Sequence, residues 1–169
     1  MNTETSGSES LVKLPVQPPK AAAEESPLVQ RLVSDCGATW VDEQSVSDWA
    51  ALGGDRVVLL AGDAVRFPEG QDVAVVLPEL RRSASRRFEI AVVPRQKEEL
   101  LARRYGSNRW PTLLFLRDGQ YVTTLPGMHD WDNYVNEVER ALAMPISRAP
   151  TIGIPVVSIK AGTPDSSCH

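Results

Sequence analysis

The sequence predicts a three-layer α/β domain, in which a mixed five-stranded sheet carries helices on both faces and the termini are disordered. Three observations carry that expectation. Helix-period and strand-period apolar segments alternate in the order α, β-α, β-α, β-α, β-β-α. The run Val57 to Ala61 is apolar at every position, as a central strand covered on both faces requires. The last two strands read as a hairpin: Trp110-Pro111 introduces Thr112 to Leu116, Asp118-Gly119 tolerates the positive φ of a tight turn, and Tyr121 to Leu125 returns. Strands joined by helices pair in parallel through right-handed crossovers, and the hairpin adds antiparallel edges.

In chain order, residues 1–25 are rich in Ser, Thr, Glu, Pro and Ala and bury too little to fold. Ser26-Pro27 starts a helix with Leu28, Val29, Leu32, Val33 and Cys36 on one stripe and Gly37 at its end. Thr39 to Val41 is a short strand, and Asp42 can cap a helix with Val46, Trp49 and Ala50 inward. After the central strand, a loop from Asp63 to Gly70 precedes a helix from about Asp72 to Ser85. Its inner stripe is Val73, Val76, Leu77 and Leu80, and Pro78 lies inside it, where the missing N–H predicts a kink. Phe88 to Val93 is a strand, and Arg95 to Tyr105 a helix with Leu100, Leu101 and Tyr105 inward. Asp130 caps the last helix, with Trp131, Tyr134, Val135, Val138 and Leu142 on its stripe. The folded domain is thus expected over 26–144, with a flexible tail over 145–169, in which Thr151 to Val157 is conspicuously apolar and could also dock as a strand.

Composition excludes several functions. Lys and Arg number 18 against 22 Asp and Glu, a net charge of -4, which argues against nucleic acid as a partner. Arg81-Arg82 and Arg86-Arg87 read as the solvated face of a helix end. No stretch is long enough to insert in a membrane, and the N-terminus lacks a secretory pattern, so a cytoplasmic location is expected. Cys36 and Cys168 are too far apart for a metal or redox motif, and Cys36 reads as an inert core thiol. His129 reads as a surface group near a cap. Asp165, Cys168 and His169 do not make a convincing metal set, so neither metal nor cofactor is expected.

Tyr105-Gly106, Trp110-Pro111-Thr112-Leu113, Phe115 and Gly119 resemble the second half of a thioredoxin. There the proline before the strand is cis and faces the active site, which implies the same for Pro111. In thioredoxins the helix proline comes five residues after the second cysteine of Cys-x-x-Cys. Setting Pro78 in that place puts the cysteine positions at Gly70 and Val73. Neither forms a thiolate, so disulfide exchange is lost there, and no catalytic residue is expected. Cysteines restored at both positions would pair if the two face each other.

The run VVLLAGD, the segment ending L-P-E-L, the entry Y-G-x-x-R-W-P-T-L-L-F and the turn L-x-G-M-H-x-W are similar to hydrogenase expression proteins of the HyaE/HupG type, over about residues 27–144. That resemblance implies a non-catalytic chaperone in uptake NiFe-hydrogenase maturation. Its partners would be other maturation proteins and the small-subunit precursor, recognised through its twin-arginine signal peptide. Trp110 and Pro111 would form a groove for the extended peptide, and Asp63, Glu69, Asp72 and Glu79 are candidate acids for its cations. A residual one-cysteine oxidoreductase using Cys36 and a structural subunit of a larger complex stand as alternatives.

Overall fold

The computed structural model describes residues 25–150. The element order is α1 (Pro27–Ser34), β1 (Thr39–Trp40), α2 (Val46–Ala51), β2 (Asp55–Leu60), α3 (Glu69–Ser83) and β3 (Phe88–Val92). A single 3-10 turn (Arg95–Lys97) then leads into α4 (Glu98–Arg104), β4 (Thr112–Arg117), β5 (Gln120–Pro126) and α5 (Trp131–Ala143). The five strands lie in the order β1-β3-β2-β4-β5, with β1, β3 and β2 parallel and β4 and β5 antiparallel additions. The expected three-layer arrangement is therefore present.

The central strand explains its own composition. Val57 and Leu59 point into a core shared with α1, α3 and α5, while Val58 and Leu60 point into a second core under α2 and α4. Successive side chains alternate faces, so a strand covered on both sides must be apolar at every position. Asp118 and Gly119 take φ of 50° and 82° at the hairpin turn, and the Asp118 carboxylate accepts the Gly54 N–H at 2.8 Å. The hairpin is thereby tied to the start of β2.

Several boundaries differ from the sequence reading. Helix α3 begins at Glu69 and already contains Gly70, and it runs through Pro78 to Ser83. Helix α2 starts at Val46, because Asp42 instead caps the preceding turn by accepting the Gln44 and Ser45 N–H groups. In α4 the buried stripe is Glu98, Leu101, Ala102 and Tyr105, whereas Leu100 is 52% exposed. In α5, Trp131 is 46% exposed at the first position of the helix, and the buried part of the stripe begins at Tyr134 and continues through Val138, Ala141 and Leu142. Arg86 is not simply solvated: it pairs with the buried Asp55 at 2.7 Å and donates to the Leu142 carbonyl.

Residues 145–150, expected to begin a flexible tail, fold back on the domain. The Ser147 N–H bonds the Tyr121 carbonyl at 2.7 Å, and Ala149 packs on the α2/α4 core. The remaining expected tail residues, 1–24 and 151–169 with Asp165, Cys168 and His169, lie outside the described residues. No helix among the described residues is long and apolar enough to cross a membrane.

Candidate functional site

The site forms where β2 ends and β4 begins. Beyond Leu60 the chain leaves the sheet through Ala61 and Gly62, and Gly62 sits at φ 81° beneath two aromatic rings. A Cβ there would lie 2.8 Å from the Trp110 Cβ and 2.9 Å from Phe67, so only glycine allows the rings to close over the backbone. Phe67 and Trp110 stack with centroids 5.9 Å apart. The Trp110-Pro111 bond is cis, and the Pro111 carbonyl accepts the Gly127 N–H at 2.7 Å. Among the described residues, no hydrogen bond uses the backbone N–H or C=O of Trp110 itself.

Below the rings lies Glu98, the first residue of α4 and only 4% exposed. Both its carboxylate oxygens stand 3.0 Å from the Gly62 N–H, which donates to them. Burial pushes its pKa up to about 7, opposed in part by the Gly62 and Ala61 N–H groups and reinforced by nearby Glu25. No Lys or Arg of the described residues forms an ion pair with it. The Trp110 indole N–H lies close enough to that carboxylate to favour its ionised form, but it is buried without a well-formed hydrogen bond. Unpaired buried donors of this kind are uncommon and mark places where a fold has given up stability. A cavity of about 180 Å³ opens here, lined by Gly62, Asp63, Arg66, Phe67, Glu98 and Trp110 among others. Its lining includes no thiol, hydroxyl or imidazole; the ionisable groups that face it are the carboxyls of Asp63, Glu98 and Glu99 and the guanidinium groups of Arg66 and Arg95.

The expected acids divide. Asp63 lines the cavity, but it is already engaged, accepting the Val65 and Arg66 N–H groups and pairing with Arg95 at 2.6 Å. Those two N–H groups are the main reason its pKa is lowered. Glu69 and Asp72 stand in the first turn of α3, and Glu79, farther along, pairs with Arg82; none lines the cavity. Pro111 is buried and Trp110 partly exposed. Sequence spacing did not single out Glu98, Phe67 or Gly62. Glu98 was nonetheless detectable, because it falls in step with Leu101, Ala102 and Tyr105 at i, i+3, i+4 and i+7.

Gly70 and Val73 are both buried. A Cβ at Gly70 would fall 2.0 Å from the Ala61 carbonyl oxygen, so no side chain fits there without backbone movement. The expected cysteine pairing at 70 and 73 therefore meets a steric bar. Cys36 packs partly against the α1/α3/α5 core, and Arg81 bonds its carbonyl. A larger, open concavity of about 630 Å³ lies between Cys36 and the Arg81–Glu89 segment. Its arginines are occupied, Arg82 by Glu79 and Arg87 by Glu89 at 3.5 Å. His129 contacts the Pro126 carbonyl and Asn133, as a cap-side group does, and no group of metal-ligating side chains occurs among the described residues.

Comparison with known proteins places this geometry in context. The model of the family described as Hydrogenase-1 expression protein HyaE matches residues 28–134. The chain is 57% identical to the hydrogenase expression/formation protein HoxO of Cupriavidus necator, over 85% of this chain and 88% of that one. It is 36% identical to the HoxO of Azotobacter vinelandii, over 83% and 93%. A mutant thioredoxin from Halobacterium salinarum, 19% identical, superposes with a TM-score of 0.51 over 64% of this chain and 93% of that one, which shows the thioredoxin-like fold.

Proposed function

The chain belongs to the HyaE family of hydrogenase expression proteins, and from that premise we propose that it is a non-catalytic chaperone of the cytoplasm. Its client is the small-subunit precursor of an uptake NiFe-hydrogenase, and the segment it holds is the extended twin-arginine signal peptide. The observation that carries this reading is the unpaired N–H and C=O of Trp110 at the rim of an aromatic cleft. An extended peptide adds to such an edge by main-chain hydrogen bonds, while its side chains find the cleft. The cleft lining has no thiol, hydroxyl or imidazole, and its Asp63 is already held by Arg95, which suits holding a peptide better than cleaving one. Glu69 and Asp72 at the start of α3, with the uncompensated Glu98 deeper in, give a cationic peptide its attraction.

The alternatives find less support. A one-cysteine oxidoreductase would need an accessible, activated thiol, and Cys36 is half-covered by the core, with the Arg81 guanidinium spent on its backbone carbonyl. The test is a calorimetric titration of a synthetic small-subunit signal peptide into the full chain and into Trp110→Ala. Trp110→Ala is expected to keep its fold and lose about tenfold or more in affinity, as truncation of an aromatic anchor does. Unchanged affinity with the fold intact would move the client site elsewhere.

A further inference from the structure

The path of residues 145–150 points to a second occupant of the same edge. After α5 the chain does not leave the domain. Ser147 bonds the Tyr121 carbonyl on the outer strand, and Ala149 then packs on the α2/α4 core. Pro150 presses on Gly106: a Cβ there would stand 2.7 Å from the Pro150 carbonyl oxygen and 2.9 Å from its Cβ. Only the loop 107–109 separates Gly106 from Trp110 in the chain. The described domain thus delivers its C-terminal segment close to the unpaired Trp110 backbone.

The segment beyond Pro150 has the composition of a strand. In Thr151-Ile152-Gly153-Ile154-Pro155-Val156-Val157, an extended backbone would set Ile152, Ile154 and Val156 on one face. Pro155 is tolerated because an added edge strand needs donors on one side only. The segment carries no charge, and seven extended residues reach roughly 23 Å, enough for a site that begins one short loop away. Apolar side chains flank the receiving edge, Val65 91% and Met128 39% exposed on the loops next to the Phe67–Trp110 stack and Pro111.

We propose that residues 151–157 occupy the Trp110 edge as an intramolecular ligand that a client peptide must displace. This deepens the client-binding reading, since both peptides compete for one backbone edge. Tethering makes a weak contact sufficient: at an effective concentration of ~1 mM, a segment of ~0.1 mM intrinsic affinity is bound in about nine chains of ten. Client affinity is then reduced about tenfold.

The test uses the full chain and its Ile152→Asp/Ile154→Asp variant, with hydrogen exchange of the Trp110 amide read without any client. Protection in the unaltered chain, lost in the variant at equal melting temperature, is expected, together with about tenfold tighter binding of the synthetic signal peptide to the variant. A Trp110 amide that exchanges freely in the unaltered chain overturns the proposal, and so does equal peptide affinity in the two proteins. Protection that rises with protein concentration would give the edge to a second copy and also overturns it. Tail-dependent Trp110 protection with no signal-peptide binding to either protein would leave the intramolecular contact standing and refute the client reading instead.

Discussion

The two ends of β2 treat a buried carboxylate in opposite ways. At its start, Asp55 is held by Arg117 at 2.6 Å and Arg86 at 2.7 Å. Arg117 reaches on to the carbonyls of Leu142 and Met144, at the C-terminal end of α5. Every charge there has a partner, and the cluster locks β2, β4 and α5 together. Just past the other end, Glu98 is buried with backbone N–H groups but no cation, beside an indole N–H and a main-chain edge left unpaired. On the proposed reading, the unsatisfied end is the one that meets the client peptide. The first end contributes stability, and the second is left with the unpaired groups that the proposed client would satisfy.

The largest expected effect lies at the satisfied end. Asp55→Ala strands Arg117 and Arg86 beside an apolar core and should cost about 3–5 kcal/mol in urea denaturation. Signal-peptide affinity of the still-folded fraction should stay within about twofold. A loss of affinity without a loss of stability would invert the comparison.

The unsatisfied end should show itself in pH dependence. Because burial raises the folded pKa of Glu98 from 4.5 to about 7, the native state holds its proton more tightly than the unfolded chain. Stability from this group is therefore complete below about pH 4.5 and falls as pH rises toward 7, by on the order of 3 kcal/mol. Asp35, Asp42 and Asp63, whose pKa values are lowered, act at more acid pH and leave that window clear. Glu98→Gln should flatten the slope between pH 5 and 7, as read from denaturation midpoints across that range. An unchanged slope would mean that Glu98 is already compensated.

The lost redox position gives a smaller effect. Gly70→Cys with Val73→Cys forces a Cβ onto the Ala61 carbonyl and should destabilise the domain by about 2 kcal/mol. Insulin reduction by the variant should remain at background. Active, undiminished protein would show that the α3 start can open as a thioredoxin helix does.

These contrasts also mark what the sequence could disclose. The continuous apolar run of β2, the hairpin turn at Asp118-Gly119 and the missing thiols are local features, and each is legible from residue type and spacing alone. Glu98 was obscured because Leu100 and Leu101 drew the helix stripe one step round, although the i, i+3, i+4, i+7 set containing Glu98 is the buried one. Its partner, the Gly62 N–H, is distant in the chain, and no spacing rule links them. Trp131 shares the i, i+3, i+7 stripe with Tyr134 and Val138, but as the first residue of α5 it stands at the helix end and stays 46% exposed. Gly70 reads as a neutral gap in a motif, and only the Ala61 backbone lying against it explains why a glycine stands there.

Backbone amide chemical shifts of the full chain, recorded while a synthetic small-subunit signal peptide is added, test the central claim most directly. The account predicts that the amides of Gly62, Phe67 and Trp110 move in a saturable manner while those of Asp55, Phe88 and Arg117 stay in place. Saturable shifts centred on the Asp55 end or on the Cys36–Arg81 concavity, with Trp110 unmoved, would contradict it.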